Sequence, residues 1–451
     1  ALGALVIKEK LGISDAETVQ QIRENPYLQY FLGLWEYSDS APFDASMMVH
    51  FRKRITRQMV GRVNEYISRS ATVETTSQET RGETNTETED PTDKTTVNVN
   101  ANGDEPPLEP NAGTLVVDAT CAPADIRYPT DLSLLNQARE VSEEIVDVLY
   151  EQVRNELACK PRTYRRKARR EYLAVSKQRK PNAKVLRKAV GGQLRYLRCN
   201  LAHIDALLAA GASLRALSAR QYRLLLVISE VMRQQQWMYA QRTHRIEDRI
   251  VSLSQPYVRP IVRGKAGTPV EFGAKLSVSV QDGWVSLDEV SWDAFNESEH
   301  LPAQIEAYKE RWGHYPTSVH ADKIYRTRAN RAYCRERGIR LSGPPLGRPA
   351  ADTQAQQRQQ TLADAKARNQ IEGKFGQAKR RFGLARVMAK LPNTSQTAIA
   401  ITFLVINLER LLWALCFVLL FGWTTAFTQC LWQEQQNSSQ PGLMEWVAVA
   451  T

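Results

Sequence analysis

Between Ala71 and Pro110 the chain has almost no aromatic or large aliphatic side chain. Thr, Glu and Asn dominate, and ten acids stand against Arg81 and Lys94. Such a composition cannot bury enough apolar surface to offset the entropy lost on ordering, so residues 70–111 are predicted to be an acidic, disordered linker. The 451-residue chain must then build its cores on either side of that gap. The linker also masks a charge: the whole chain carries +11 and residues 71–110 carry −8, which leaves +19 on the remainder. A folded body that basic suits a polyanion, most simply nucleic acid.

Residues 1–69 read as a small all-α N-terminal domain. Ser14 and Glu17 form a capping box, and Pro26 divides the segment 14–33 into two short helices. A further helix is expected from about Asp44 to Ser68, with Met48, Phe51, Ile55, Met59 and Val63 as its apolar stripe. Arg52, Lys53, Arg54, Arg57 and Arg62 lie outside that stripe. This arrangement suits either a DNA-binding domain of helix-turn-helix type or a basic solvated bundle; on the first reading Arg52, Lys53 and Arg54 contact phosphate. The first thirty residues hold charges throughout, so no signal peptide is expected. Cys121, Cys159, Cys199, Cys334, Cys416 and Cys430 form neither a CxxC pair nor a Cys/His cluster. Neither zinc nor a disulfide framework is indicated, and a reducing cytoplasm fits.

Past the linker, Thr114–Asp118 (TLVVD) is an apolar strand ending in an acid, the first part (112–131) of an α/β core. A helical insertion follows over 132–249, and within it Lys160–Arg170 holds seven basic residues in eleven. Arg165, Arg166, Arg169 and Arg170 are the candidate contacts to a nucleic-acid backbone. Strand patterns return over 250–400. Lys275–Gln281 and Trp284–Trp292 flank Asp282-Gly283, a strong hairpin signal. A helix (Pro302–Trp312), a second strand running into an acid (Pro316–Asp322), a basic helix (about Arg326–Arg337) and a short strand (Ile339–Ser342) follow. Residues 401–451 form an apolar helix and tail. Glu409 and Arg410 interrupt it and leave Leu411–Thr428, which falls short of the ~20 apolar residues a bilayer span needs. A buried core helix is expected there, and no membrane.

The last core element, Ala363–Arg381, is an amphipathic helix whose apolar face is Ile371, Phe375, Ala378 and Phe382. Arg368, Glu372 and Lys379 fall in one stripe on a neighbouring face. A carboxylate between two cations suits a site that holds a metal ion and a phosphodiester together, or else a solvated ion-paired face. The order strand–Asp, insertion, hairpin, helix, strand–Asp, helix, strand, helix–Glu is how a three-carboxylate, two-metal site is assembled.

These residues carry a resemblance. The chain is similar to the DDE-type transposases of bacterial insertion sequences, in the branch marked by a Y-x2-R-x3-E-x6-K signature. The similarity runs through QQIRENPYLQYFLGL, DASMMVHFRKR, VDATCAPADIRYPTDLSLLNQAR, RGKAGTPVEFGAKLSVS, HADKIYRTRANRAYC and RNQIEGKFGQAKRRFGL. It implies a ribonuclease-H-like mixed sheet, interrupted here by the helical insertion. It also implies that Asp118, Asp322 and Glu372 are catalytic and hold two Mg²⁺ or Mn²⁺ ions, and that Arg368 and Lys379 contact phosphate. Where the signature has Tyr, this chain has Ala365. The activity implied is metal-dependent cleavage at insertion-sequence ends and transfer of the freed 3′-OH into target DNA. The protein would work as a homodimer in a synaptic complex, in the cytoplasm on the nucleoid. Two other readings stay open: a catalytically decayed DNA-binding protein, and a related nuclease without strand transfer.

Overall fold

Leu115, Val116 and Val117 open the central strand of a mixed sheet. The structure is a computed structural model describing residues 1–82, 110–157, 159–262, 270–343 and 354–438, with the side chains of 71–82, 354–357 and 418–438 outside the description. Strand β1 (Thr114–Pro123) lies at the middle of a six-stranded sheet. It pairs antiparallel along its length with β3 (Val270–Gln281), Leu115 opposite Gln281 and Pro123 opposite Gly273. A Cβ on Gly273 would stand 2.1 Å from the Ala122 carbonyl oxygen, so only glycine permits this pairing. β3 turns through Asp282 and Gly283, both at positive φ (44° and 80°), into β4 (Trp284–Ser291). This is the primed-turn geometry that the Asp-Gly pair predicts. The short β2 (Arg259–Val262) continues the same edge of β3. On its other side β1 runs parallel to β5 (Ser318–His320), and β5 runs parallel to β6 (Arg340–Leu341). Strand β5 is shorter than its apolar pattern suggests, and Asp322 lies just past its end.

Alternation along β1 divides the core. Leu115 and Val117 face one way, onto Leu301, Ile305 and Tyr308 of the helix Leu301–Trp312, together with Val319, Tyr325 and Cys334. Val116 and Ala122 face the other way, with Leu276, Val278 and Val280. Two long helices from late in the chain cover that second face.

Among the described residues, five helices precede the sheet: α1 (Leu2–Leu11), α2 (Asp15–Glu24), α3 (Pro26–Phe31), α4 (Met47–Arg54) and α5 (Arg57–Gly82). The Ser14–Glu17 capping box is formed, and Pro26 starts α3 at its first position. Two expectations are corrected here. The helix expected over 44–68 is broken at Ile55, which is extended (φ −86°, ψ 111°) and buried. Its carbonyl accepts the Thr397 hydroxyl at 2.9 Å. In addition α5 continues to Gly82, into the stretch read as a linker, because no glycine or proline interrupts it between Gly61 and Gly82. The rest of the predicted linker, 83–109, lies outside the described residues.

Four helices form the insertion: α6 (Asp131–Gln152), α7 (Arg165–Ser176), α8 (Ala183–Ala209) and α9 (Ala219–Gln241). They close cores of their own around Leu135, Leu197 and Ile228 and around Ile145, Leu149 and Leu207. After α10 (Leu301–Trp312) and α11 (Arg328–Glu336) come the two helices on the sheet's second face, α12 (Gln354–Arg381) and α13 (Pro392–Ser438). α13 begins at Pro392, a residue suited to a helix's first turn, so the boundary expected at 401 falls inside it. Ile399–Ile406 are buried without a break. Pro392–Phe417 is, among the described residues, long and apolar enough to cross a bilayer, with mean hydropathy 1.8. Its first half packs on the sheet, whereas Leu412, Trp413, Leu415 and Phe417 are exposed.

The helices α1, α2, α4 and α5 share one core with this face: Ala4, Leu5, Ile22, Met48 and Val60 pack with Phe403 and Leu404. Polar groups lock that contact. Asn407 donates to the Val285 carbonyl and the Asn64 side chain, both at 2.8 Å, and accepts the Val285 N–H at 3.0 Å. Glu409, 4% exposed, ion-pairs with Lys10 of α1 and with Arg381 of α12 (3.0 Å), and accepts from Gln377 (2.9 Å). Hydrogen bonds to a charged group contribute roughly 1.5–3 kcal/mol. Glu409→Ala should therefore lower stability by about 2 kcal/mol, read as an earlier midpoint in urea unfolding. An unchanged midpoint would show that α1 and α12 are held to α13 by apolar packing alone.

Candidate active site

Helix α12 is fixed over the sheet by a stripe at seven-residue intervals, Asp364, Ile371 and Ala378, all buried. Phe382 completes the apolar face, and the half-buried Phe375 packs against it. Asp364 is the polar anchor. It accepts Arg340 Nη2 at 2.9 Å, the Gly343 N–H at 3.1 Å and Gln360 at 3.3 Å, and it stands 3.4 Å from His320 Nδ1. These hydrogen bonds hold its carboxyl below the usual carboxylate range against the opposing effect of burial. Burial pushes the His320 imidazole down.

With α12 so placed, carboxylates from three elements come within electrostatic reach of one guanidinium, and two of them pair with it. Asp118 is two residues on from Val116 and shares the face that α12 covers. Burial pushes its carboxyl up to about 6, and the negative charges of Glu297 and Asp322 add to that. The Ala119 N–H, donated at 2.8 Å, and the Arg368 cation act in the opposite sense. Asp322 caps the 3₁₀ turn Lys323–Tyr325, accepting the Lys323 N–H at 2.7 Å. Glu372 is exposed on α12. Arg368 reaches both: Nη1 is 3.7 Å from Asp322 and Nη2 is 3.8 Å from Glu372. Lys379 follows on the same stripe, about 10 Å further along the helix at 1.5 Å per residue. Ala365 is exposed.

Carboxylate oxygens are the donor type that hard divalent cations take, and Asp118 is raised first by burial and then by neighbouring negative charge. Among the described residues no three Asp, Glu, His or Cys side chains stand close enough to hold a single ion. Arg368 lies between two of the three acids.

The other candidate cations divide into engaged and exposed groups. Arg52 makes a two-pronged pair with Asp15 (3.0 and 2.5 Å), joining α4 to α2. Arg165 bonds Asp147 at 2.6 Å and the Glu143 carbonyl at 2.8 Å. Lys53 and Arg54 at the end of α4, and Arg166, Arg169 and Arg170 on α7, are exposed. Patterning did not single out Asp364 or Arg340, because an acid one residue from the start of an amphipathic pattern looks like surface. It did not single out Glu297 either.

Two family models match parts of the chain. The family described as Transposase DDE domain matches residues 319–409, which span β5, Asp322, Arg368, Glu372 and Glu409. The family described as Transposase domain (DUF772) matches residues 1–54. A Rhizobium meliloti protein, "Uncharacterized protein ORF8 in nfe locus", is 42% identical over 57 residues, 13% of this chain and 28% of that protein. The chain thus aligns with little more than a quarter of that relative's length. No solved structure matches. Both family descriptions are of transposase domains, and their matches lie in two separate stretches of the chain.

The Asp364 anchor is open to test. Asp364→Ala should cost about 2 kcal/mol, since it removes hydrogen bonds to a charged, buried carboxylate. It should also speed amide hydrogen exchange over 360–372 relative to the rest of α12. Unchanged exchange there would mean that Ile371 and Ala378 suffice to seat the helix.

Proposed function

We propose that the chain is a DDE-type transposase of the Y-R-E-K branch, with Asp118, Asp322 and Glu372 as its catalytic carboxylates. The ion pairs of Arg368 with Asp322 and Glu372, with the buried Asp118 within electrostatic reach of the same cation, carry the reading. The sheet supports a ribonuclease-H-like core: β4, β3, β1, β5 and β6 lie in that order, with β3 antiparallel and β5 and β6 parallel to β1. Asp118, Asp322 and Glu372 would hold two Mg²⁺ or Mn²⁺ ions. When bound, these supply Lewis acidity at the attacking and leaving oxygens of an in-line displacement.

The chain's own groups set up that displacement. Arg368 exchanges its bonds to Asp322 and Glu372 for a phosphate oxygen of the scissile strand, and Lys379 takes a neighbouring phosphate. The Ala119 N–H keeps one Asp118 oxygen in place. Lys53 and Arg54 on α4, in the N-terminal region 1–69, and Arg166, Arg169 and Arg170 on α7, in the insertion 132–249, contact the DNA backbone. Arg52 and Arg165 hold those helices through their ion pairs and reach DNA only by giving them up. The substrate is the pair of element ends, held by a homodimer in a synaptic complex on the nucleoid. The products are nicked or cut ends whose 3′-OH joins target DNA.

Asp118→Asn, Asp322→Asn and Glu372→Gln should each abolish cleavage of end-containing duplexes in Mg²⁺ or Mn²⁺ and leave duplex affinity nearly unchanged. Substantial cleavage by the Asp322 variant would overturn the assignment. Wild-type binding without cleavage would identify a decayed, DNA-binding descendant, and cleavage without end joining a plain nuclease. Neutralising Arg166, Arg169 and Arg170 together should weaken binding to all duplexes alike. It should also reduce the slope of log K against log salt by about 0.9 for every phosphate that the variant no longer neutralises. An unchanged slope would place the DNA elsewhere than α7.

A further inference from the structure

Helix α12 is seated by a stripe of buried side chains and therefore has two flanks. On one lie Arg368, Glu372 and Lys379. On the other lie Ala363, Ala367, Gln370 and Lys374, spaced four, three and four residues apart. At about 100° per residue the two sets stand roughly 150° apart, with Asp364, Ile371 and Ala378 between them. The second flank borders a cavity of about 720 Å³, lined on its other sides by Arg340, Arg410 and the Asp282–Gly283 turn. Its two ends are far apart. Arg340 is on β6 and Arg410 lies across the β3–β4 turn, with β1 and β5 between them. Three strand spacings amount to about 14 Å. Along α12, Lys374 is about 15 Å beyond Asp364, the partner of Arg340, so it stands at the Arg410 end.

The cations of this groove are not used up. Arg340 holds Asp364 at 2.9 Å yet keeps 42% of its side chain exposed. Among the described residues neither Lys374 nor Arg410 makes an ion pair or a hydrogen bond from its side chain. Lys10 and Arg381, by contrast, both close on Glu409, the residue before Arg410. Two acids line the same cavity. Asp364 is taken up by Arg340, Gln360 and the Gly343 N–H, and the charge of Asp282 acts on Arg410 from the hairpin turn. No acid of the cavity is committed to Lys374. A half-buried ammonium without a partner is costly, and so long a side chain normally reaches one. Thr114 and Ser318 add hydroxyls to the lining. Cations at both ends of a groove this long are too far apart for one small anion. They match an extended polyanion that presents successive phosphates.

We propose that this groove is a second track for nucleic-acid phosphates, on the flank of α12 away from Arg368. Lys374 and Arg410 hold the backbone at one end and Arg340 holds it at the other. The inference takes its ligand from the nucleic-acid reading of the chain, but it needs no metal and does not depend on Asp118, Asp322 or Glu372. It gives Lys374 the counter-charge that the fold leaves out.

The test is binding of a random-sequence duplex to the full chain in EDTA, from about 50 to 200 mM salt, with melting temperatures measured in parallel. Wild type, Lys374→Met and Gln370→Glu are compared. Lys374→Met keeps the aliphatic stem and should reduce the slope of log K against log salt by about 0.9, the loss of one phosphate contact. It should melt no earlier than wild type, because it removes an unpaired charge. Gln370→Glu alters an exposed side chain one turn from Lys374 and should weaken binding several-fold, which keeps the test open if the methionine variant does not fold. Unchanged slope and affinity in both variants overturn the proposal. If neutralising Arg166, Arg169 and Arg170 still flattens the slope, the DNA-binding reading of α7 survives that result. An earlier melt with wild-type binding would make Lys374 purely structural and also overturns it. Inorganic phosphate at matched ionic strength is the second ligand. If it stabilises wild type but not Lys374→Met while duplex binding is untouched, the groove takes a free phosphate and the backbone assignment falls. No duplex binding by wild type overturns both readings.

Discussion

The seating of α12 on the sheet depends on one buried carboxylate. Asp364 holds Arg340 and the Gly343 N–H, both at the β6 edge, so the helix is registered against the strand that lies outside β5. Seven residues along, Ile371 continues the contact, and that spacing places Glu372 and Arg368 beside the open end of β5, where Asp322 emerges. If α12 rotated by one residue, about 100°, Asp364 would lose its donors and Arg368 would leave Asp322. The polar anchor and the Arg368–Glu372 stripe are therefore set by a single choice of helix phase. Burying a carboxylate is costly, and here its hydrogen bonds offset the cost while fixing that phase.

The same logic appears in α13. Charges within an apolar helix usually argue against burial, yet Glu409 and Arg410 are the reason this helix is tied to its neighbours. Glu409 gathers Lys10, Gln377 and Arg381. Arg410 lies over the Trp284 ring, 5.0 Å from its centroid, and across the Asp282–Gly283 turn, where any side chain at position 283 would collide with it. The glycine that makes the hairpin turn also makes room for the cation.

Local chemistry was legible in the sequence, and distant pairing was not. The Asp282-Gly283 hairpin, the Ser14–Glu17 box, the Pro26 break and the Ile371–Ala378–Phe382 stripe are each decided within a few residues, by turn geometry, capping or helical period. The break at Ile55 was not legible. Its carbonyl is satisfied by Thr397, more than three hundred positions away, and no local signal reports that. The end of α5 was misread for the opposite reason: composition alone suggested disorder, while the absence of any helix breaker before Gly82 let the helix run on. Of the candidate site, the helix bearing Arg368 and Glu372 and the strand bearing Asp118 could be read from pattern. Their approach to Asp322 depends on the parallel pairing of β1 with β5, which period cannot predict. Arg52 and Arg165 looked like free cations in sequence because Asp15 and Asp147 are remote from them.

The joining of α1 to α13 bears on when the protein can fold. Ala4, Leu5 and Ile7 find their apolar neighbours near residue 400, and Lys10 and Glu409 are 399 positions apart. Helices assembled from neighbouring stretches, such as those of the insertion, can close while the ribosome is still at work. Helix α1 has to wait, its apolar face uncovered, until α13 has emerged. The carboxylate site, roofed by α12 and braced by α13, belongs to that late step. A chain cut short during translation would thus carry the basic insertion, but neither a sealed N-terminal region nor Arg368 held beside Asp322.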